Sequence, residues 1–203
     1  MVIMTKPLFA AVLAAALFAT CTRSEAKVPP RRPATVDGPR EVAILAAGCF
    51  WGVEHWMNKA SGIVDIDVGY VGGKSDKVSY DQVTTGTTGH AEAVRIVFDP
   101  TVISYEELLR DWFFRIHDPT TKNRQGNDEG PQYRSSIFPT TAEQRMVAEQ
   151  VKARVDRSGK WKRPITTTVE APKNWVEAEA SHQDYLVKNP GGYDNHFLRD
   201  FTF

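Results

Sequence analysis

Glu41-Val42-Ala43-Ile44-Leu45-Ala46-Ala47-Gly48-Cys49-Phe50-Trp51-Gly52-Val53-Glu54-His55-Trp56-Met57 joins two hydrophobic patterns through one glycine. Up to Ala47 the residues form a short apolar run, which reads as a strand ending at Gly48. From Cys49 onward, Phe50, Val53, Trp56 and Met57 fall on one helical face, and Ser61-Gly62 stops the pattern. A strand turning directly into a helix is the opening of an α/β unit. Cys49 then stands at a helix start, where backbone N–H groups point outward and the dipole favours an anion. That position is expected to lower its thiol pKa. The competing reading is a small buried hydrophobe at a strand end.

Working outward, Ile63 to Val71 alternates Val64, Ile66, Val68 and Tyr70, a half-buried strand closed by Gly72-Gly73. Residues 74–90 are polar and rich in Thr and Gly, and read as a loop. Ala91 to Phe98 is a third strand, ended by Asp99-Pro100. Ser104-Tyr105-Glu106-Glu107 is a capping box, with Ile103 and Leu108 as its hydrophobic staple. Leu108, Leu109, Trp112, Phe113 and Ile116 give that helix its apolar face. Residues 117–134 lack an apolar period; loops of that length are functional or disordered. Ser135 to Phe138 is a short strand, and Thr140-x-x-Glu143 opens a helix carrying Met146, Val147, Val151 and Val155. Ile165 to Val169 reads as a strand and Trp175 to about Lys188 as a last helix, before a Gly- and aromatic-rich tail. The order β-α-β-β-α-β-α-β-α predicts an α/β (α+β) fold, a two-layer sandwich with a ferredoxin-like βαββαβ core.

Lys+Arg and Asp+Glu are balanced at 25 each, so charge gives no reason to expect nucleic acid or an anionic membrane as partner. Met1 to Lys6 carries one positive charge, Pro7 to Thr20 is an apolar run, and Ser24-Glu25-Ala26 matches a small-x-small cleavage site. Residues 1–26 are therefore expected to be a signal peptide, 27–40 a Pro/Arg-rich linker and 41–203 the folded domain. An exported protein, periplasmic or secreted, is expected. Leu17-Phe18-Ala19-Thr20-Cys21 faintly resembles a lipoprotein processing site, so lipidation at Cys21 is the alternative outcome. Either way the domain keeps Cys49 alone, which forbids an internal disulfide. His55, His90, His117 and His196 lack a metal-like spacing, and no metal is expected.

Three motifs carry a family resemblance. Gly48-Cys49-Phe50-Trp51-Gly52, Gly89-His90-Ala91-Glu92-Ala93-Val94, and the run from Gly126-Asn127-Asp128 to Gln132-Tyr133-Arg134-Ser135 resemble the A-type peptide methionine sulfoxide reductases, in order and spacing. The resemblance implies a domain over 41–203 that reduces methionine S-sulfoxide, free or in oxidised proteins, and so repairs them. It implies that Cys49 attacks the sulfoxide sulfur and becomes a sulfenic acid, with Glu92 as acid and Tyr80 and Tyr133 as hydrogen-bond donors to the oxygen. Phe50 and Trp51 would hold the methyl group, with Asp128 and His182 also on the substrate side. Read without the resemblance, Glu92 is a solvent-facing strand acid, the two tyrosines pack over a core edge, Asp128 caps a turn and His182 is structural. Many relatives carry resolving cysteines near the C-terminus, and Gly191 to Phe203 contains none. No cofactor is expected beyond an external thiol, either thioredoxin or a small thiol, and the enzyme is expected to be a monomer.

Overall fold

The computed structural model describes residues 1, 28–30 and 32–203. Apart from Met1, the signal peptide read over 1–26 and Cys21 within it lie outside the described residues.

Both edges of β1 (Glu41–Ala47) find antiparallel partners. β3 (Ala91–Phe98) pairs from Glu41↔Phe98 to Leu45↔Val94, and β6 (Ser135–Phe138) from Ile44↔Phe138 to Ala47↔Ser135. β2 (Ile63–Val71) pairs with the free edge of β3, giving a central order β6-β1-β3-β2. β1 and β2 thus run parallel with β3 between them, and α1 (Phe50–Met57) makes the crossover. This split βαβ arrangement is the α/β core expected from the sequence. Two-residue strands extend it, β7 (Thr168–Val169) parallel to β6 and β8 (Val176–Glu177) antiparallel to β2.

Alternation sorts the sheet into two clusters. Ala43, Leu45, Val94, Ile96 and Phe98 pack with Phe50, Val53 and Met57 of α1, with Leu108 and Leu109, and with Val151 and Val155 of α5 (Ala142–Arg157). Each large side chain buried there stabilises the fold by about 1.5–3 kcal/mol. Ile44, Ala46, Val71, Ala91, Ala93 and Phe138 form the opposite cluster, against which Trp175 packs. β1 is therefore covered on both faces, which is why its sequence is a continuous apolar run and not an alternation.

Several elements differ from the sequence expectation. Within 74–90 a short helix forms, α2 (Tyr80–Thr84), started by a Ser79/Gln82 capping box. The 105–116 helix begins at the expected Ser104/Glu107 box as α3 (Tyr105–Glu107). It then widens into a π-helical segment, Leu108–Phe113, before closing as α4 (Phe114–Ile116). The 117–134 loop contains a tight hairpin of β4 (Arg124–Gln125) and β5 (Asp128–Glu129), then a 3-10 turn over Pro131–Tyr133. The strand expected at 165–169 shrinks to β7, because Ile165 N–H donates to Asp156 and Thr166 N–H to Pro119. The helix expected from Trp175 is wrong. Val176 and Glu177 pair with Tyr70 and Gly69 instead, and a helix, α6 (Tyr185–Lys188), starts only after the left-handed Asp184. Gly69 permits this, since a Cβ there would lie 2.5 Å from the Val176 carbonyl oxygen. The segment read as a linker is fastened at its far end, where Arg32 O accepts from Gly62 N–H and Thr35 N–H donates to Asp99.

Candidate active site

Cys49 occupies the N-cap of α1, where the chain leaves β1 through Gly48 at φ +100°. It is 9% exposed. Its glycine neighbours exist because other segments press in on both sides. A Cβ on Gly48 would lie 2.5 Å from the Gln125 side chain, and one on Gly52 would lie 2.2 Å from His196 Nδ1. His196 spans the gap left between them, with Nε2 2.7 Å from Ala47 O and Nδ1 3.2 Å from Asp194 Oδ1. The C-terminal tail is thus clamped over the strand–helix junction.

β3 delivers Glu92 to the same place. Its even positions face the helices, so Glu92 shares a side with Val94, Ile96 and Phe98 and is 1% exposed. Glu92 Oε2 accepts the Phe50 N–H at 3.1 Å, one residue from the thiol. Burial pushes its carboxyl up to about 8; the Phe50 N–H opposes this and the Asp128 charge adds to it. Glu92 is therefore the buried acid and not a solvent-facing one. The thiol departs from expectation. Burial first, then the Glu92 charge, push Cys49 upward and outweigh the N–H groups of Trp51 and Gly52. A helix start lowers a thiol pKa when the thiol is well exposed to water, and here burial outweighs it. With Glu92 protonated, as it is below about pH 8, the like-charge part of that penalty is gone.

Tyr80, the first residue of α2, and Tyr133, the last of the 3-10 turn, close around this pair. Burial and then Glu92 push both hydroxyls up, Tyr80 to about 12, so both are protonated donors. Asp128, on β5, accepts from Asn195 Nδ2 at 2.8 Å and from Tyr193 OH at 3.1 Å. Its charge is felt by Cys49, Glu92, Tyr80 and Tyr133 alike.

Aromatic rings wall the other side. Phe50 is fully buried, with its ring 5.8 Å from Tyr70 and 5.4 Å from His182. Trp51 stacks on Tyr185 at 3.7 Å and donates its indole N–H to His182 Nδ1 at 3.2 Å. His182 lies in the turn before α6, not in a helix, and the Tyr80 ring sits 4.4 Å from it. The structure thus brings together Cys49, Glu92, Tyr80, Tyr133, Asp128, Phe50, Trp51 and His182. Sequence reasoning missed Tyr70, Glu179, Tyr185, the tail from Tyr193 to His196, and Glu54. Glu179 accepts both Tyr70 OH and Tyr80 N–H, tying the wall to β2. Only Glu54 carried a signal, being an acid one helical turn from Phe50 and set between Val53 and Met57 of the apolar stripe.

Among the described residues no group of three or more His, Cys, Asp or Glu is placed to hold a metal. Residues 41–201 match the family model for peptide methionine sulfoxide reductase. A relative from Mycolicibacterium vanbaalenii, called peptide methionine sulfoxide reductase MsrA, is 51% identical over 158 residues, 77% of this chain and 90% of that protein. The structure of Mxr1 from Saccharomyces cerevisiae in reduced form aligns with TM-score 0.75 at 40% identity, over 83% of this chain and 98% of that one. Mxr1 in complex with Trx2 aligns with TM-score 0.55 at 29% identity over the same shares.

Proposed function

The chain belongs to the peptide methionine sulfoxide reductase family, and from that premise we propose that Cys49 is the nucleophile, Glu92 the acid, and Tyr80 and Tyr133 the oxygen-binding donors. The enzyme is an oxidoreductase that reduces methionine sulfoxide at the expense of a thiol and so repairs oxidised proteins. The observation that carries the assignment is Glu92, buried beside Cys49, accepting the Phe50 N–H and holding its proton at neutral pH.

The sulfoxide sulfur sits opposite Cys49 Sγ with its oxygen toward Glu92, Tyr80 and Tyr133. The three donors take up the charge that builds on oxygen as the sulfur–oxygen bond weakens. The sulfur–oxygen bond breaks, the oxygen ends on Cys49 as a sulfenic acid, and the substrate leaves as the thioether. Sulfur in the substrate is reduced by two electrons and Cys49 is oxidised by two, and the thiol proton stays with the sulfenic hydroxyl. Phe50 and Trp51 hold the methyl group in an apolar slot, with His182 orienting the Trp51 ring. Asp128 orients the substrate backbone. The S epimer of the sulfoxide is the substrate that the family membership supports.

Regeneration draws on an outside thiol, because the folded domain over 41–203 holds no cysteine besides Cys49. A thiol attacks the sulfenic sulfur, water leaves, and a second thiol releases Cys49 as a disulfide forms between the two. Reductants of the thioredoxin type and small thiols both suit a domain over 41–203 with one cysteine, which works as a monomer. The N-terminal apolar run and Ser24-Glu25-Ala26 support export.

One turnover tests the scheme. Reduced protein given stoichiometric sulfoxide and no reductant should yield one methionine per chain and a dimedone adduct at Cys49. A product burst without that adduct, or Cys49 joined to Cys21, would overturn it.

A further inference from the structure

Trp51 and Glu54 stand three residues apart on α1, so they share a face, and both reach the same turn. Trp51 meets the turn's rings, stacking on Tyr185 and donating to His182. Glu54 meets its backbone. Although an acid, it is 3% exposed, and its Oε1 accepts the Asp184 N–H at 2.9 Å. Asp184 is held at φ 53°, a left-handed conformation unfavourable for any residue with a Cβ. Its carbonyl accepts from Val187 and Lys188, so this one residue both turns the chain and starts α6. Burial raises the Glu54 carboxyl to about 7, and the N–H groups of Asp184 and Tyr185 pull it down. An acid kept at such a cost against two backbone donors is a fastening.

We propose that Glu54 is a positioning residue for substrate: by accepting the Asp184 N–H it fixes the 182–185 turn, and so seats His182 and Tyr185 against the Trp51 wall of the methyl slot. This rests on the reading of Trp51 as part of that slot. Glu54 touches neither the thiol nor Glu92 through any hydrogen bond, so its loss acts on substrate affinity and spares the chemical step.

The test is a set of Michaelis parameters for methionine sulfoxide. Glu54→Ala should raise KM about tenfold with kcat within about twofold, the pattern of lost uniform binding. Glu54→Gln should restore most of the affinity, since its amide oxygen still accepts the Asp184 N–H. Glu54→Met keeps the volume without the acceptor and should behave as Ala does, which covers failure of the Ala variant to fold. In a Trp51→Ala background, Glu54→Ala should add less than about twofold, because the wall it seats is gone. An unchanged KM in the Ala and Met variants, or a full tenfold effect that persists without Trp51, would overturn the proposal. If Trp51→Ala alone leaves KM unchanged, the slot reading itself falls and the proposal with it, and that single variant tells the two failures apart.

Discussion

Residues 41–57 carry Cys49 on a strand paired along both edges and on a helix of two turns, whereas residues 176–198 reach the same thiol with two residues of strand and four of helix. The first segment is held by a ladder in which each bond has neighbours of its kind. Beyond the two-residue pairing of β8 and the backbone bonds of Ala178 to Val68 and Phe197 to Ile116, the second is held by single contacts between side chain and backbone. Gln183 both donates to and accepts from Val68, Asn195 donates to Gln125 O, and His196 reaches Ala47 O. Losing one contact in the first is shared across the ladder, and losing one in the second releases a whole wall. The reacting atom is thus placed by repeating geometry, and the surface that recognises substrate by bonds that occur once.

The sharpest way to break this comparison is at the thiol. Cys49→Ser should abolish sulfoxide reduction while leaving the melting temperature within a few degrees, because the frame does not depend on the sulfur. Next comes Glu92→Gln, with a loss on the order of the 10²–10⁴ expected of a general acid. Its pH profile carries the sign. The Glu92 carboxyl rises from an ordinary 4.5 to about 8, so the protonated acid persists to about pH 8 and kcat/KM falls as pH climbs through it. The Gln variant should lack that limb. The same raised pKa makes the folded chain less stable as pH rises from about 4.5 to about 8, and Glu92→Gln should flatten that slope in a denaturation series.

The tail is probed by Gly52→Ala. Its methyl would enter the space of His196 and Asp194, which should cost about 1–3 kcal/mol in urea unfolding and raise KM. An unchanged midpoint would show that the tail is not clamped as described. The smallest effect is expected from Glu179→Gln. It keeps one acceptor for Tyr70 OH or Tyr80 N–H and loses the other, about 0.5–1.5 kcal/mol, seen in melting and as a modest rise in KM.

The same division decided what the sequence could reveal. β1, β2, β3 and β6 were legible because alternation and apolar runs are local, and the Ser104 capping box because its partners lie three residues apart. Cys49, Glu92 and the aromatic pair were legible through motifs. Their electrostatics were not, since the raised Cys49 thiol depends on Glu92, 43 positions away, and on burial. The helix read from Trp175 failed because Val176 and Glu177 answer to Gly69 and Tyr70 across the sheet. The clamp of His196 on Ala47 joins positions 149 apart, and no local pattern encodes it.

The clamp also orders events during synthesis. Chains are made from the N-terminus, and folding follows emergence. The four long strands β1, β2, β3 and β6, and Cys49 with them, precede residue 139, while Glu179, His182, Tyr185 and His196 come last. A chain halted at about residue 175 therefore owns its nucleophile, its acid and the Phe50–Trp51 pair without His182 and Tyr185, which complete the wall around them. Residues 176–203, 28 in all, bring the last side chains of the site, from Glu179 to His196, up to a thiol already in place.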